Sequence, residues 1–287
     1  MLEYENVAYI DLQKTGSSTI KYVLSNLLAE DEVTRSSHRG IYEDFDRSKP
    51  CFISVREPLS LYISLFSFGA GSKRGGLYRT LCRRGREDLF APTREAFELW
   101  LDFMLDPQNA ELLKSGYGSA GNAEIGFLSY RLLFICVPNA QKRMQKKRFH
   151  ERDEIRALFA RHLYKDYVRL ENLAGDLFSF LSLHSARLRF REPLTTADRL
   201  MADIPKRNAS PKIAGLSVDT VSPELRERVR DREWLFYEAF GYDTDPKGRP
   251  PGSITGERPQ EAKPSGPKRR ERRRERRAAR QTESSQT

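Results

Sequence analysis

A strand, a tight loop and a helix follow one another near the start of the chain, and this order constrains the fold most strongly. Residues 7–12, VAYIDL, are mostly apolar and predict a short buried strand. After a loop at 13–19, apolar side chains recur at helical spacing, at Ile20, Val23, Leu24, Leu27 and Leu28. Because so short a loop separates the two patterns, they predict the first half of a β–α–β unit.

Other segments repeat the pattern of a buried strand that leads into a helix. Residues 51–55, CFISV, form an apolar run, and Pro58 suits the first turn of a helix after it. Residues 166–170, DYVRL, also indicate a strand, and a weaker one is expected at 33–37. Strands that alternate with helices predict an α/β protein of three layers, in which a central parallel sheet is flanked by helices.

The middle and the end of the sequence contain further helix signals. Thr93 suits the N-cap of a helix. The inward-facing residues of that helix would be Phe97, Trp100, Leu101 and Met104. Ser222 and Pro223 predict the start of a last helix, which Gly241 would end. By contrast, residues 69–92 alternate glycines with basic residues and predict a long loop.

Positive charge is concentrated at the C-terminal end of the sequence. From residue 246 onward there are 13 basic and 5 acidic side chains, so the preceding 245 residues contain 37 basic against 35 acidic and are nearly neutral. The end of the chain is also rich in Pro, Gly and Ser, which predicts a folded domain at 1–242 and a disordered tail at 243–287. Residues 268–280 could contact nucleic acid or an anionic membrane surface, but a solvated charge run is the simpler interpretation.

The composition limits the class of protein. Hydrophobic residues make up 38% of the chain, yet no apolar run reaches the roughly 18 to 20 residues that span a bilayer. We therefore expect no transmembrane segment and no signal peptide. Cys51, Cys82 and Cys136 are an odd number without metal-ligand spacing, which argues against a disulfide framework or a zinc site. They fit a reducing compartment, so we expect a cytoplasmic protein.

The loop between the first strand and its helix is rich in groups that bind anions. Lys14 supplies a positive charge, and Gly16 lets the backbone approach a ligand closely. Hydroxyl groups follow at Ser17, Ser18 and Thr19, where the helix N-terminus adds free N–H groups. The order differs from the nucleoside-triphosphate motif G-x-x-x-x-G-K-[ST], because here the lysine comes first. A phosphate-like anion fits this loop; an ordinary strand–helix connection with capping hydroxyls is the alternative.

A second candidate anion site follows the strand at 51–55. Arg56 comes directly after that strand, and Ser64 lies two turns into the next helix. The carboxyl ends of parallel strands share one edge of a sheet, where ligands bind. An arginine fork and a serine hydroxyl can hold a second phosphate there. The alternatives are a surface ion pair of Arg56 with Glu57 or another acid, and a Ser64 hydroxyl that bonds back to a helix carbonyl.

The two motifs resemble those of the sulfotransferases that use 3′-phosphoadenosine 5′-phosphosulfate (PAPS). QKTGSST is similar to their 5′-phosphosulfate loop, and VREPLSLYIS is similar to their 3′-phosphate motif. A histidine, an aromatic residue and a strand precede the arginine motif, as in the Golgi-type carbohydrate branch, particularly the uronyl 2-O-sulfotransferases and their bacterial relatives. DYVRLENLAGDL and KRNAS are similar to downstream segments of the superfamily. The resemblance implies a P-loop-like form of the three-layer fold.

The resemblance also implies a role for each residue of these motifs. Lys14 would contact the sulfonate and the bridging oxygen of PAPS and stabilise charge as the S–O bond breaks. The residues that would hold the 5′-phosphate are Thr15, Gly16, Ser17, Ser18 and Thr19, so that PAPS would be bound by these residues together with Lys14. Arg56 and Ser64 would hold the 3′-phosphate, and His38 would be the general base that removes the proton of the acceptor hydroxyl. This chemistry requires no metal.

The identity of the general base and that of the acceptor each have alternatives. His38 lies in the polar run TRSSHRG, so a surface histidine is one alternative, with Glu43 or Asp44 as a substitute base. The resemblance implies a hydroxyl-bearing carbohydrate or glycoconjugate as acceptor. The basic residues of 69–86 suit an anionic saccharide, and the alternatives for this segment are a lid over the site and a flexible solvated loop. The lack of an apolar anchor favours a bacterial, cytoplasmic form. A P-loop-type kinase or nucleotide-binding protein, or a protein that binds nucleic acid through its tail, is the competing interpretation.

Overall fold

A computed structural model of the chain has a five-stranded sheet at its centre. It describes residues 1–35, 45–113, 116–118, 124–146, 151–194 and 210–242, so the predicted tail lies outside the described residues. The strands are β1 (Leu2–Tyr4), β2 (Ala8–Ile10), β3 (Glu32–Arg35), β4 (Cys51–Val55) and β5 (Asp166–Arg169). They lie side by side in the order β3-β1-β2-β4-β5.

Three adjacent strands of this sheet run parallel. β2 pairs with β4 and β4 pairs with β5 in parallel, whereas β1 is antiparallel to both β2 and β3. The sheet is therefore mixed: the expectation of parallel strands is confirmed for its centre and wrong for its N-terminal strand. A tight turn, in which Tyr4 N donates to Val7 O at 2.8 Å, joins β1 to β2. A strand of three residues is too short for its pattern to be recognised in the sequence.

Helices account for most of the remaining described residues. The helices before β5 are α1 (Ser17–Leu27), α2 (Pro58–Ser72), α3 (Gly76–Cys82), α4 (Arg94–Leu105), α5 (Ala110–Leu113), α6 (Phe127–Cys136), α7 (Ala140–Lys146) and α8 (Arg152–Phe159). Those after β5 are α9 (Leu173–Leu183), α10 (Pro223–Arg232) and α11 (Trp234–Phe240). None of these described helices is both long and apolar enough to cross a membrane.

Helices cover both faces of the sheet, which confirms the three-layer α/β arrangement. β4 shows how the core is divided, because Phe52 points to one face and Ile53 to the other. Phe52 packs on Tyr9 of β2 and Phe180 of α9, with ring centroids 4.9 and 4.4 Å apart, on the face that α1 covers. Ile53 belongs to the larger core, to which α2, α4, α6 and α11 contribute.

The predicted amphipathic helices α1 and α4 form with the expected faces. In α1 the buried apolar residues are Ile20, Val23, Leu24 and Leu27. Thr93 caps α4, since its hydroxyl accepts a hydrogen bond from Ala96 N at 3.1 Å. The predicted inward residues of α4, Phe97, Trp100, Leu101 and Met104, are all buried.

Helix α2 differs from the sequence prediction in the face that it buries. The apolar spacing predicts Leu61, Leu65 and Phe68 together on one face of this helix. Leu61 is buried, but Leu65 and Phe68 are only half-buried, and Tyr62 and Phe66 occupy the central positions instead. Because α2 is apolar around most of its circumference, spacing alone does not select its inward face.

The segment 69–92, which was predicted to be a long loop, is mostly helical. The end of α2, the whole of α3 and a 3-10 helix at Glu87–Phe90 lie within it. Gly69 allows close packing in α2, since a Cβ there would lie 2.8 Å from a ring carbon of Phe90. Glycine therefore marks a close approach of two elements at this position and not a flexible chain.

The predicted C-terminal helix is interrupted at Glu233, between α10 and α11. The buried carboxylate accepts hydrogen bonds from Tyr62 Oη (2.5 Å), Leu128 N (3.1 Å), Ser129 N (2.7 Å) and Ser129 Oγ (2.8 Å). A Cβ on Gly126 would lie only 2.0 Å from Oε1 of Glu233. One carboxylate thus joins α2, α6 and the last two helices. Burial raises the pKa of Glu233 above its usual 4.5, and these hydrogen bonds oppose the shift.

We expect Glu233→Gln to lower the free energy of unfolding by about 2 kcal/mol. The NH₂ group of the glutamine side chain would face groups that now donate hydrogen bonds to the carboxylate. Urea denaturation measures the loss, and Glu227→Gln, on an exposed position of α10, is the matched control. Since folding raises this pKa, the folded state binds the proton more tightly, and this residue lowers stability as pH rises above 4.5. In Glu233→Gln, the free energy of unfolding should no longer contain this fall with rising pH. Equal stability of the two variants would contradict the assignment.

Candidate functional site

Three loops meet at the edge of the sheet where the parallel strands end. The first and third loops touch, because a Cβ on Gly16 would lie 2.9 Å from Leu170 Cδ1. The second and third are linked by a hydrogen bond of 2.8 Å from Glu57 N to Glu171 Oε1. Ligands of parallel sheets bind at such an edge. The three loops, which follow β2, β4 and β5, are residues 11–16, 56–57 and 170–172.

A chain of buried hydroxyl groups fixes the first loop to the sheet. Tyr9 Oη lies 2.6 Å from Ser54 Oγ, and Ser54 Oγ lies 2.6 Å from Thr15 Oγ1. Thr15 Oγ1 also donates to Leu12 O at 2.6 Å, and Ser17 Oγ donates to the same carbonyl at 3.0 Å. The hydroxyls of Thr15 and Ser17 therefore stabilise the loop itself. Burial raises the pKa of Tyr9 far above its ordinary value, so its phenol remains protonated.

The backbone of the first loop contains two left-handed residues. Gly16 has φ 89°, which glycine adopts readily. Lys14 has φ 66°, a conformation uncommon for a residue with a side chain and concentrated at functional sites. Its Nζ lies 4.0 Å from the centroid of the Phe68 ring of α2, within cation–π distance. The ring of Phe68 therefore holds the ammonium group against α2.

The N-terminus of α1 is suited to an anion. Gly16 is its N-cap and provides no side chain, and no described side chain caps it. The first turn contains no acidic residue that would offset the positive end of the helix dipole. Ser18 is half-buried and Thr19 is buried, and Thr19 N already donates to Gly16 O at 3.0 Å. Free N–H groups at such a terminus bind phosphate in many proteins.

Lys14 and Arg56 are two half-buried cations at this edge. Burial lowers the pKa of Lys14, and the nearby charge of Arg56 lowers it further. Burial likewise lowers the pKa of Arg56, while the charges of Glu171 and Glu57 oppose that shift. Among the described residues, neither Lys14 nor Arg56 forms a hydrogen bond or an ion pair with a carboxylate. Two cations that repel each other and form no ion pair with a described carboxylate are suited to an anionic ligand.

The carboxylates nearest to Arg56 are engaged elsewhere. Glu57 caps α2 by accepting from Leu59 N and Ser60 N at 2.9 and 2.6 Å. Glu57 Oε1 also accepts from Tyr237 Oη at 3.0 Å. The alternative in which Arg56 forms an ion pair with Glu57 is therefore not what the structure contains. The cap instead positions the first turn of α2 beside Arg56.

Ser64 meets a segment from the far end of the sequence. Its Oγ lies 3.0 Å from Ser210 Oγ, and Ser210 Oγ also donates a hydrogen bond of 3.1 Å to Ser64 O. Ser210 is the last residue of KRNAS, whose first four residues lie outside the described ranges. The next residue, Pro211, packs on Gly71, where a Cβ would lie 2.8 Å from its ring. The Ser64 hydroxyl thus contacts another hydroxyl and not a helix carbonyl.

Sequence reasoning missed three residues that shape this edge. Ser54 appears in the sequence as one polar residue in an apolar strand, and Phe68 as one of several apolar residues in α2. Glu171 connects the second and third loops and accepts from Tyr242 Oη at 3.3 Å. The only sequence signal for Glu171 was its place directly after the strand at 166–170.

Two predictions concern residues or groups that the structure does not assign. His38 and its possible substitutes, Glu43 and Asp44, lie outside the described residues. Within the described ranges, no group of three or more His, Cys, Asp or Glu residues is placed to hold a metal ion. The general base and the absence of a metal requirement therefore stay predictions.

Comparisons with known proteins identify no relative of this chain. No protein-family profile matches the sequence, and no curated protein or solved structure is significantly similar to the chain. The resemblance of the two short motifs to the sulfotransferases therefore stays a prediction from the sequence. Any functional conclusion has to be argued from the geometry of the three loops.

Alanine substitution of glycines tests how tightly the first loop is packed. Gly16 and Gly85 both have positive φ, 89° and 73°, but a Cβ on Gly85 would meet nothing within 4 Å. We expect Gly85→Ala to cost about 1 kcal/mol of unfolding free energy from backbone strain. Gly16→Ala should cost clearly more, because Leu170 must also shift. Denaturant titration of both variants gives the comparison, and equal losses would mean that the first and third loops are not in close contact.

Proposed function

We propose that this chain is a PAPS-dependent sulfotransferase with a P-loop-like fold. The observation that carries the proposal is the pair of half-buried cations, Lys14 and Arg56, that follow two adjacent parallel strands without a carboxylate partner. The N-terminus of α1 starts beside Lys14 and provides a further site for negative charge. A ligand with two separated anionic groups fits this arrangement better than one with a single phosphate chain.

The two anionic ends of PAPS would be held by different strand ends. The 5′-phosphosulfate suits the first loop, where the backbone from Thr15 to Thr19 leads into α1. The 3′-phosphate suits Arg56, with the Ser64 and Ser210 hydroxyls a short way along α2. Because Thr15 and Ser17 use their hydroxyls to hold the loop, their contribution to phosphate binding would come mainly from backbone N–H groups.

In the proposed reaction the sulfonate moves from PAPS to an acceptor hydroxyl. The acceptor oxygen forms a new bond to sulfur while the bond from sulfur to the bridging phosphate oxygen breaks. Negative charge therefore develops on the bridging oxygen, which leaves as part of adenosine 3′,5′-bisphosphate. Lys14 would stabilise that charge, and a half-buried ammonium group is more effective there than one in water.

The proton of the acceptor hydroxyl must pass to a base, and we propose His38. β3 runs in the same direction as β2, because both are antiparallel to β1. The strand that precedes His38 therefore ends at the same edge of the sheet as the first loop. A neutral imidazole near pH 7 is well matched to accept the proton.

Binding calorimetry tests the two anion sites separately. We expect adenosine 3′,5′-bisphosphate to bind the full chain and Arg56→Gln to weaken that binding at least tenfold, as the loss of a charge-assisted contact predicts. Binding of adenosine 5′-phosphate, which lacks the second phosphate, should change much less. Arg228→Gln, which removes an exposed arginine paired with Asp102, is the matched control. Tight binding of ATP without binding of the bisphosphate would instead favour a kinase or nucleotide-binding protein.

Substitution of the proposed base should separate chemistry from binding. We expect His38→Ala to lower sulfonate transfer from radiolabelled PAPS by about 100-fold or more, with binding of the bisphosphate unchanged. Transfer is measured with a panel of saccharides, lipids and phenols as acceptors. Glu43→Gln and Asp44→Asn are the parallel variants. Wild-type turnover of His38→Ala, with loss in one of the acidic variants, would assign the base to that carboxylate.

A further inference from the structure

A cavity of about 550 Å³ lies beside the first loop. Gln13 lines it and immediately precedes Lys14, so the two Cα atoms are about 3.8 Å apart. The cavity therefore borders the loop that contains Lys14. Its volume falls in the range of about 300 to 1,000 Å³ that is typical of sites for small molecules.

Three arginines line this cavity, and no described acidic residue does. Arg79 and Arg83 lie four residues apart at the end of α3 and are exposed. Like charges at that spacing repel each other, and neither arginine forms an ion pair with a described residue. Arg131 of α6 contributes a buried guanidinium group with 2% exposure. Charge from two helices therefore converges on one space.

The remaining walls of the cavity are largely apolar. Leu77 of α3, Leu113 of α5 and Phe127 of α6 line it, and the last two belong to the large hydrophobic core. Apolar walls gain free energy from contact with a hydrocarbon or aromatic group and gain little from a chain of hydroxyls. The cavity thus combines apolar contact surface with the positive charge of Arg79 and Arg83, neither of which has an ion-pair partner among the described residues.

We propose that this cavity binds the acceptor, and that the acceptor is an anionic amphiphile of small-molecule size. Its apolar body would lie against Leu113 and Phe127, and its carboxylate or sulfate would pair with the arginines. Its hydroxyl would point past Gln13 towards Lys14. The acceptor role rests on the proposed sulfotransferase function, but the binding chemistry does not. This acceptor differs from the polar saccharide that the resemblance implies.

Cys82 provides a direct probe of this cavity. It lines the cavity and is half-buried, whereas the other two cysteines, Cys51 and Cys136, are buried. We expect saturating p-hydroxyphenylpropionate to slow maleimide labelling of Cys82 in the full chain at least tenfold. The matched neutral amide should slow it much less, because it lacks the charge that pairs with arginine. Cys82→Ser controls for labelling at the other thiols.

Arginine variants test the source of the selectivity. We expect the double variant Arg79→Gln/Arg83→Gln to raise the dissociation constant of the acid at least tenfold and to leave that of the amide unchanged. Arg131→Gln removes the buried charge. If that variant does not fold, the double variant still tests the proposal, because both of its substitutions are at exposed positions. Arg228→Gln is the control. Equal protection by acid and amide, no protection by either, or protection that survives in the double variant would overturn the proposal.

The two proposals fail in distinguishable ways. If the acid protects Cys82 but adenosine 3′,5′-bisphosphate does not bind, the anion-binding cavity is supported and the sulfotransferase function is overturned. If the bisphosphate binds but the acid gives no protection, the function is supported and the cavity proposal is overturned. If both bind, transfer of radiolabelled sulfonate to the acid and not to its amide completes the assignment.

Discussion

The parallel pairing of β2, β4 and β5 determines where the rest of the structure lies. Parallel neighbours cannot be joined by a tight turn, so each connection must cross the sheet with helices. The three strands then end at one edge, and their loops are brought together from positions that are distant in the sequence. Gly16 can contact Leu170, and Glu57 can contact Glu171, only because of this pairing. A site at this edge follows from the topology before any side chain is considered.

Most buried polar groups that the structure describes form hydrogen bonds. The Glu233 carboxylate accepts four hydrogen bonds, and the hydroxyls of Tyr9, Ser54 and Thr15 form a continuous buried chain. Lys14 and Arg56 depart from this rule, and Lys14 also has an unfavourable backbone conformation. Local departures from the usual rules are expected where a protein binds ligands, because the surrounding packing maintains a strained arrangement.

The sequence predicted what depends on local pattern and missed what depends on distant contacts. The predictions of the strand at 51–55 and of helix α4 were correct, because a buried apolar run and a capped amphipathic helix are local features. The prediction of a loop at 69–92 was wrong because Gly69, which packs against Phe90, looks in a sequence like a glycine of a loop. Lys14 and Arg56 could be named as anion-binding candidates from their place after strands. The role of Glu171 could not, since its contacts come from residues more than 70 positions away.

The mutual repulsion of Lys14 and Arg56 has a consequence for how ligand binding and protonation are related. Burial and the neighbouring charge of Arg56 make it harder for Lys14 to hold its proton. Any anion bound between the two cations would make it easier, so its arrival would raise the pKa of Lys14. By thermodynamic linkage the protonated form must then bind the anion more tightly than the neutral form. Proton uptake and anion binding at this edge are two parts of one equilibrium, and the affinity for an anion falls as Lys14 loses its proton.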